Sequence, residues 1–168
     1  MQEFTHSIRP IIDPAKKKVY IETYGCQMNV NDSEVILSIL QKAGYCLTEN
    51  IDEADLILAN TCSIRDNAEQ RIWGRIEQFR LQKKKRNGVI IGIVGCMAER
   101  LKDKLLDGHQ VDLVAGPDSY RSLPGLLEAI TPQKPQIDVL LSHEETYADI
   151  SPVRMDKNGI SAFISIMR

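Results

Sequence analysis

Four cysteines stand at positions 26, 46, 62 and 96, and no two of them form a C-x-x-C pair. Three sit in short polar or glycine-marked segments: Tyr24-Gly25-Cys26-Gln27-Met28-Asn29, Asn60-Thr61-Cys62-Ser63 and Gly95-Cys96-Met97-Ala98. Three thiolates with no histidine beside them favour a soft metal, either an iron–sulfur cluster or zinc. A structural zinc site usually has four ligands and takes a pair from one knuckle. Here each cysteine comes from a separate segment and a fourth ligand is missing. A cubane with one iron free of protein ligands fits that spacing better, with zinc, a redox thiol site and coincidence as the alternatives.

The elements around these cysteines determine whether they can meet. Residues 18–24 read as a strand, and Asn31-Asp32-Ser33-Glu34 reads as a helix start. Cys26 then lies in a strand-to-helix turn that Gly25 keeps uncrowded, and a helix amino terminus favours its thiolate. Val35, Ile36, Ile39, Leu40 and Ala43 recur at helical spacing up to Gly44. A second strand, 45–48, contains Cys46. A third, 55–60, runs into Cys62, and a helix over 65–85 follows with Ala68, Ile72, Ile76 and Phe79 on one stripe and Trp73 at its edge. Residues 89–94 are the clearest buried strand and lead directly into Cys96, followed by a helix over 98–106. A fifth strand over 111–115, a helix to 130 and a candidate for another short strand over 137–141 complete the pattern.

Strands alternating with helices predict an α/β fold: a doubly wound, mostly parallel five-stranded sheet in a flavodoxin/Rossmann-like three-layer sandwich. Ligands in such folds lie at the carboxyl ends of the strands, where strand order reverses. With strand order 2-1-3-4-5, the strands preceding Cys26, Cys62 and Cys96 are neighbours. Strands about 4.8 Å apart make three such positions span roughly 10 Å, the scale of a small metal cluster. Cys46, inside edge strand two, is outside the set.

Residues 1–17 read as a leader, 18–141 as the cluster-binding domain, and 142–168 as a linker ending in an apolar strand, 160–167, that suggests a further domain. A net charge of −2 argues against a protein devoted to neutralising a phosphate backbone. No apolar run has the length of a membrane span, and no signal-peptide core opens the chain. The expected location is the cytoplasm, where grouped cysteines more often mean metal or redox chemistry than disulfides. The runs Lys16-Lys17-Lys18 and Lys83-Lys84-Lys85-Arg86 read as a solvated face and as helix-dipole complements, with an RNA-facing patch as the competing reading of the second.

The cysteine segments, with Val30-Asn31-Asp32-Ser33-Glu34 after the first and Ile64-Arg65 after the second, resemble the amino-terminal domain of the methylthiotransferases, which are radical S-adenosylmethionine enzymes. Gln27-Met28-Asn29 is similar to the branch that modifies tRNA. The resemblance implies that Cys26, Cys62 and Cys96 bind an auxiliary [4Fe-4S] cluster that donates sulfur. It implies a methylthio group added to C2 of N6-dimethylallyladenosine beside the anticodon, hence a tRNA anticodon stem-loop as partner; a monomer is the expected state. The family's second [4Fe-4S] cluster, which binds S-adenosylmethionine on a C-x-x-x-C-x-x-C motif, would belong to a radical domain; that motif is absent from these 168 residues. Asn29, Asn60, Thr61 and Ser63 flank the cysteines and either bond to cluster sulfur or substrate, or form turns and caps. Gln27 and Met28 either meet substrate or pack. The rival class is a flavodoxin-like binding or regulatory module, or a zinc-thiolate domain, with no catalytic role. Gly-Cys-Gln-Met-Asn after strand one offers no second glycine for a phosphate loop.

Overall fold

The apolar strands and amphipathic helices assemble around a six-stranded sheet in the order β2-β1-β3-β4-β5-β6, parallel throughout. The strands are β1 (Lys17–Tyr24), β2 (Tyr45–Leu47), β3 (Leu56–Thr61), β4 (Ile90–Gly95), β5 (Leu113–Ala115) and β6 (Gln136–Asp138). The helices are α1 (Gln27–Lys42), α2 (Asp66–Lys85), α3 (Cys96–Leu101), α4 (Asp103–Leu106) and α5 (Leu123–Ala129). This computed structural model describes residues 16–62, 66–107, 111–131, 134–139, 147 and 149–153. Most of the leader and the linker, the terminal strand over 160–167, and Ser63 lie outside the described residues.

Period-two side-chain alternation assigns each strand residue to one of two cores. Val19, Ile21, Leu56 and Leu58 pack against Val35, Ile36 and Leu40 of α1 and Leu123 and Leu127 of α5. Ile57, Ala59, Ile91 and Ile93 pack on the opposite face against Ile72, Ile76 and Phe79 of α2 and Met97, Ala98 and Leu101 of α3. Trp73 packs, half-buried, at the border of that second core. Helices on both faces of a parallel sheet make the fold a doubly wound, Rossmann-like sandwich. The chain leaves β1 toward β2 and returns past β1 to β3, so strand order reverses between β1 and β3.

Three expectations are corrected. The sheet has six strands rather than five, because Gln136–Asp138 pairs with β5, slightly earlier than the 137–141 stretch. The helix expected over 98–106 begins at Cys96 and breaks at Lys102, whose φ of 38° separates α3 from α4. The first helix begins at Gln27, not near Asp32, because Cys26 and Asn29 supply a cap that the apolar periodicity does not register.

Candidate metal centre at the carboxyl edge of the sheet

Strand register brings the three cysteine segments to one edge. Tyr24 pairs with Thr61, and Thr61 with Gly95, so β1, β3 and β4 end level with one another. Cys62 and Cys96 each follow the last residue of a strand, and Cys26 follows two residues after Tyr24. The Cys62 amide donates to the Tyr24 carbonyl at 3.1 Å, which carries the pairing one step beyond the strands. Cys46 lies buried in β2, opposite Lys18 near the other end of β1.

Two glycines make the convergence possible. Gly25 has φ +138°, and a Cβ built there would stand 2.6 Å from the Cys62 Cβ and collide with the Asn29 amide oxygen. Gly95 has φ +94°, and a Cβ there would stand 2.6 Å from both the Asn60 Oδ1 and the Thr61 carbonyl oxygen. Real Cβ atoms do not approach so closely, and φ values in this range favour glycine. The loops therefore sit nearer one another than side chains at these positions would permit.

The first cysteine loop is held from inside the helix. Asn29 Oδ1 accepts the Cys26 backbone N–H at 3.2 Å, and the Cys26 thiol donates to the same oxygen at 3.5 Å. This is a capping box with cysteine and asparagine where a hydroxyl and a longer polar side chain are usual. Asn60 lies beneath it, fully buried. Its Nδ2 donates to the Asn29 carbonyl at 2.8 Å and to Ser33 Oγ at 2.9 Å, and its Oδ1 accepts from Asn29 Nδ2 at 3.3 Å. Ser33 Oγ and Thr23 Oγ1 are 2.7 Å apart, which brings β1 into the network. Thr61 Oγ1 donates to the Val94 carbonyl at 3.0 Å, tying β3 to β4.

Asn29, Asn60 and Thr61 are buried, and their described hydrogen bonds join the segments around the three cysteines. Gln27 and Met28 are exposed in the first turn of α1, Met28 at 45%. Ser33 and Thr23 are the supporting residues that sequence reading missed. In sequence, Ser33 reads as part of a helix start. With the helix beginning at Gln27, Asn29 and Ser33 fall four residues apart on one face.

All four cysteines are free thiols; Cys26 and Cys96 are exposed and Cys62 is half-buried. Although Cys96 reaches the surface, burial of its thiol pushes its pKa up, with the charge of nearby Cys62 adding to the effect. Among the described residues no three His, Cys, Asp or Glu side chains converge into a ready-made site for a metal ion. The trio shares an edge without meeting at a point. The donor set still fits a thiolate-bound cluster: three free thiols on neighbouring loops, with glycine removing the steric barrier at two of them.

A charged knot borders the site on the α2 face. Glu22 accepts from Tyr20 Oη at 2.8 Å, from Tyr24 Oη, and from Arg75 Nε at 2.8 Å. Burial alone would raise the Glu22 carboxyl, but the Arg75 guanidinium and the two phenols outweigh it and hold its pKa below the usual range. Burial and the bond to Glu22 push the Tyr24 hydroxyl up to about 12.

These features define a doubly wound α/β domain that presents three cysteines at the topological switch point and the strand beside it. The chain belongs to the family described as Uncharacterized protein family UPF0004, whose profile matches residues 18–116. It is similar to proteins named tRNA-2-methylthio-N(6)-dimethylallyladenosine synthase from several bacteria. The relative from Bacteroides thetaiotaomicron is 57% identical over 152 residues, 90% of this chain and 33% of the relative. Those from Phocaeicola vulgatus and Parabacteroides distasonis are 56% and 54% identical over 93% and 91% of this chain, and 34% of each relative. The chain therefore spans about a third of the length of these curated relatives. Among the described residues, no helix is long and apolar enough to cross a membrane.

Proposed function

We propose that residues 18–141 form the sulfur-donor domain of a tRNA methylthiotransferase, in which Cys26, Cys62 and Cys96 hold an auxiliary [4Fe-4S] cluster. When bound, such a cluster supplies the sulfur for the methylthio group and an iron without a protein ligand, where that sulfur can be carried. The observation that carries the reading is the arrival of three free thiols, from three adjacent parallel strands, at one edge of the sheet.

The chain's own residues have definable tasks. Gly25 and Gly95 let the loops close on one another. Asn29 holds the Cys26 loop against the start of α1. Exposed Gln27 and Met28 border the thiols on the side open to a substrate, with N6-dimethylallyladenosine beside the anticodon as that substrate. The relatives' names and their identity with this chain support a whole enzyme acting on tRNA; its cytoplasmic location and monomeric state belong to the proposal alone. S-adenosylmethionine and a second [4Fe-4S] cluster would belong to the part of the polypeptide that these residues do not span. The domain by itself would hold the sulfur donor without generating the radical.

Anaerobic reconstitution with iron and sulfide tests the assignment. The chain is expected to take up about four irons. Cys26→Ala, Cys62→Ala and Cys96→Ala should each abolish loading, and Cys46→Ala should leave it intact. Full loading of Cys62→Ala would refute the ligand set.

A further inference from the structure

Asn60 lies in direct contact with the elements that carry Cys26 and Cys96 and belongs to the strand that carries Cys62. It is the penultimate residue of β3, two positions before Cys62. Its amide bonds the main chain and side chain of Asn29, and Asn29 in turn bonds the Cys26 N–H and thiol. Its Oδ1 occupies the space beside Gly95, the residue before Cys96, so closely that a Cβ at Gly95 would stand 2.6 Å away. Strand alternation explains the position. Leu56, Leu58 and Asn60 share one face of β3, and the first two are apolar members of the core under α1. An amide in the third place, fully buried, costs desolvation unless its bonds are made. All of the bonds described go to the cysteine-bearing framework, and none goes to a thiol.

We propose that Asn60 is a positioning residue that presets the spacing of the Cys26, Cys62 and Cys96 loops before any metal arrives. This rests on the cluster reading above. The planar amide acts as a spacer of fixed width. One edge sets the height of the first turn of α1 over β3, and the other limits how near the Gly95 turn can come. Ser33 holds the amide in register by accepting one of its two N–H groups and contacting Thr23 of β1. A cluster bound by three separate loops gains retention when the loops need less rearrangement to reach it, which is preorganisation applied to ligation.

The test follows iron release to a chelator under anaerobic conditions from the reconstituted chain and three variants. Asn60→Asp keeps the shape but removes both amide N–H donors and opposes a carboxylate to the Asn29 carbonyl. Ser33→Ala removes one bond to the amide and leaves Asn60 in place. Ser38→Ala is the control: Ser38 is buried in the same helix and donates to the Ser151 carbonyl at 2.9 Å, a bond outside the Asn60 network. Ser33→Ala should lose iron on the order of three- to tenfold faster than wild type, as one lost hydrogen bond implies. Asn60→Asp should lose iron faster still and show an altered electron paramagnetic resonance spectrum when reduced. Ser38→Ala should release iron at the wild-type rate even though its unfolding midpoint falls. If Asn60→Asp does not fold, the Ser33→Ala rate decides. Wild-type release from Ser33→Ala, or equal acceleration by Ser38→Ala, would overturn the proposal while leaving the cluster reading standing. Failure of the wild-type chain to load would remove both.

Discussion

The two edges of the sheet are fastened by opposite chemistry. At the amino edge the ties are charged. Asp55 accepts the Lys18 backbone N–H at 2.8 Å and pairs with Arg86, which also donates to the Asp52 and Ala54 carbonyls. Asp112 accepts the Ile91 N–H at 2.9 Å and pairs with Lys83. Lys18 pairs with Glu53. At the carboxyl edge, Asn29, Asn60, Ser33, Thr23 and Thr61 tie α1, β1, β3 and β4 through neutral groups, and the thiols stand beyond them. The basic cluster at the end of α2 thus serves its own fold, with Lys83, Lys85 and Arg86 facing Asp112, Asp52 and Asp55. It lies at the edge away from the cysteines. An edge locked by charge pairs has its ligands built in. An edge locked by neutral amides and glycine clearances leaves ligand positions for something else.

The largest effect that would break this contrast is expected at Gly95. Gly95→Ala forces a Cβ onto Asn60 and the Thr61 main chain at a φ that alanine rarely adopts. A loss of about 3 kcal/mol in urea unfolding is expected, together with loss of iron uptake. A folded, fully loading Gly95→Ala chain would show that the close approach is not required. At the other edge the effect is smaller. Arg86 and Asp55 are both more than a third exposed, so Arg86→Ala should cost about 1 kcal/mol or less by the same measurement. It should leave iron uptake unchanged. Impaired loading there would mean the two edges are coupled.

The smallest effect sharpens the boundary between the edges. Tyr24 ends β1, and its hydroxyl pKa in the folded chain is about 12 against an ordinary value of 10.0. A raised pKa means that the neutral phenol is favoured by folding. That contribution is present in full below pH 10 and is lost as pH rises from 10 toward 12. The urea midpoint should fall across that interval, and Tyr24→Phe should flatten the part of the fall that Tyr24 contributes. An unchanged slope in Tyr24→Phe would show that its bond to Glu22 does not persist in solution.

The sheet was legible because apolar strands such as Ile91 to Val94 and helical stripes such as Ile72, Ile76 and Phe79 carry their period in sequence. The edge position of Cys26, Cys62 and Cys96 followed from strand order alone. The first turn of α1 was not legible. Gln27, Met28 and Asn29 place no apolar residue on the buried face, and the cap is a cysteine, so the periodicity begins only at Val35. That hid the shared face of Asn29 and Ser33 and, with it, the role of Asn60. Distances across α1 and β3 depend on tertiary packing, which local pattern does not encode. The Glu22–Arg75 contact is equally remote, joining residues 53 positions apart.

The central claim is that the three edge thiols act together and Cys46 does not. Residue-resolved thiol alkylation, read by mass spectrometry on the same chain before and after anaerobic iron–sulfur loading, addresses it most directly. In the metal-free chain, exposed Cys26 and Cys96 should be alkylated readily, half-buried Cys62 more slowly, and buried Cys46 least. Loading should protect Cys26, Cys62 and Cys96 together and leave the Cys46 rate unchanged. Undiminished alkylation of any one of the three after loading, or protection that includes Cys46, would contradict the account.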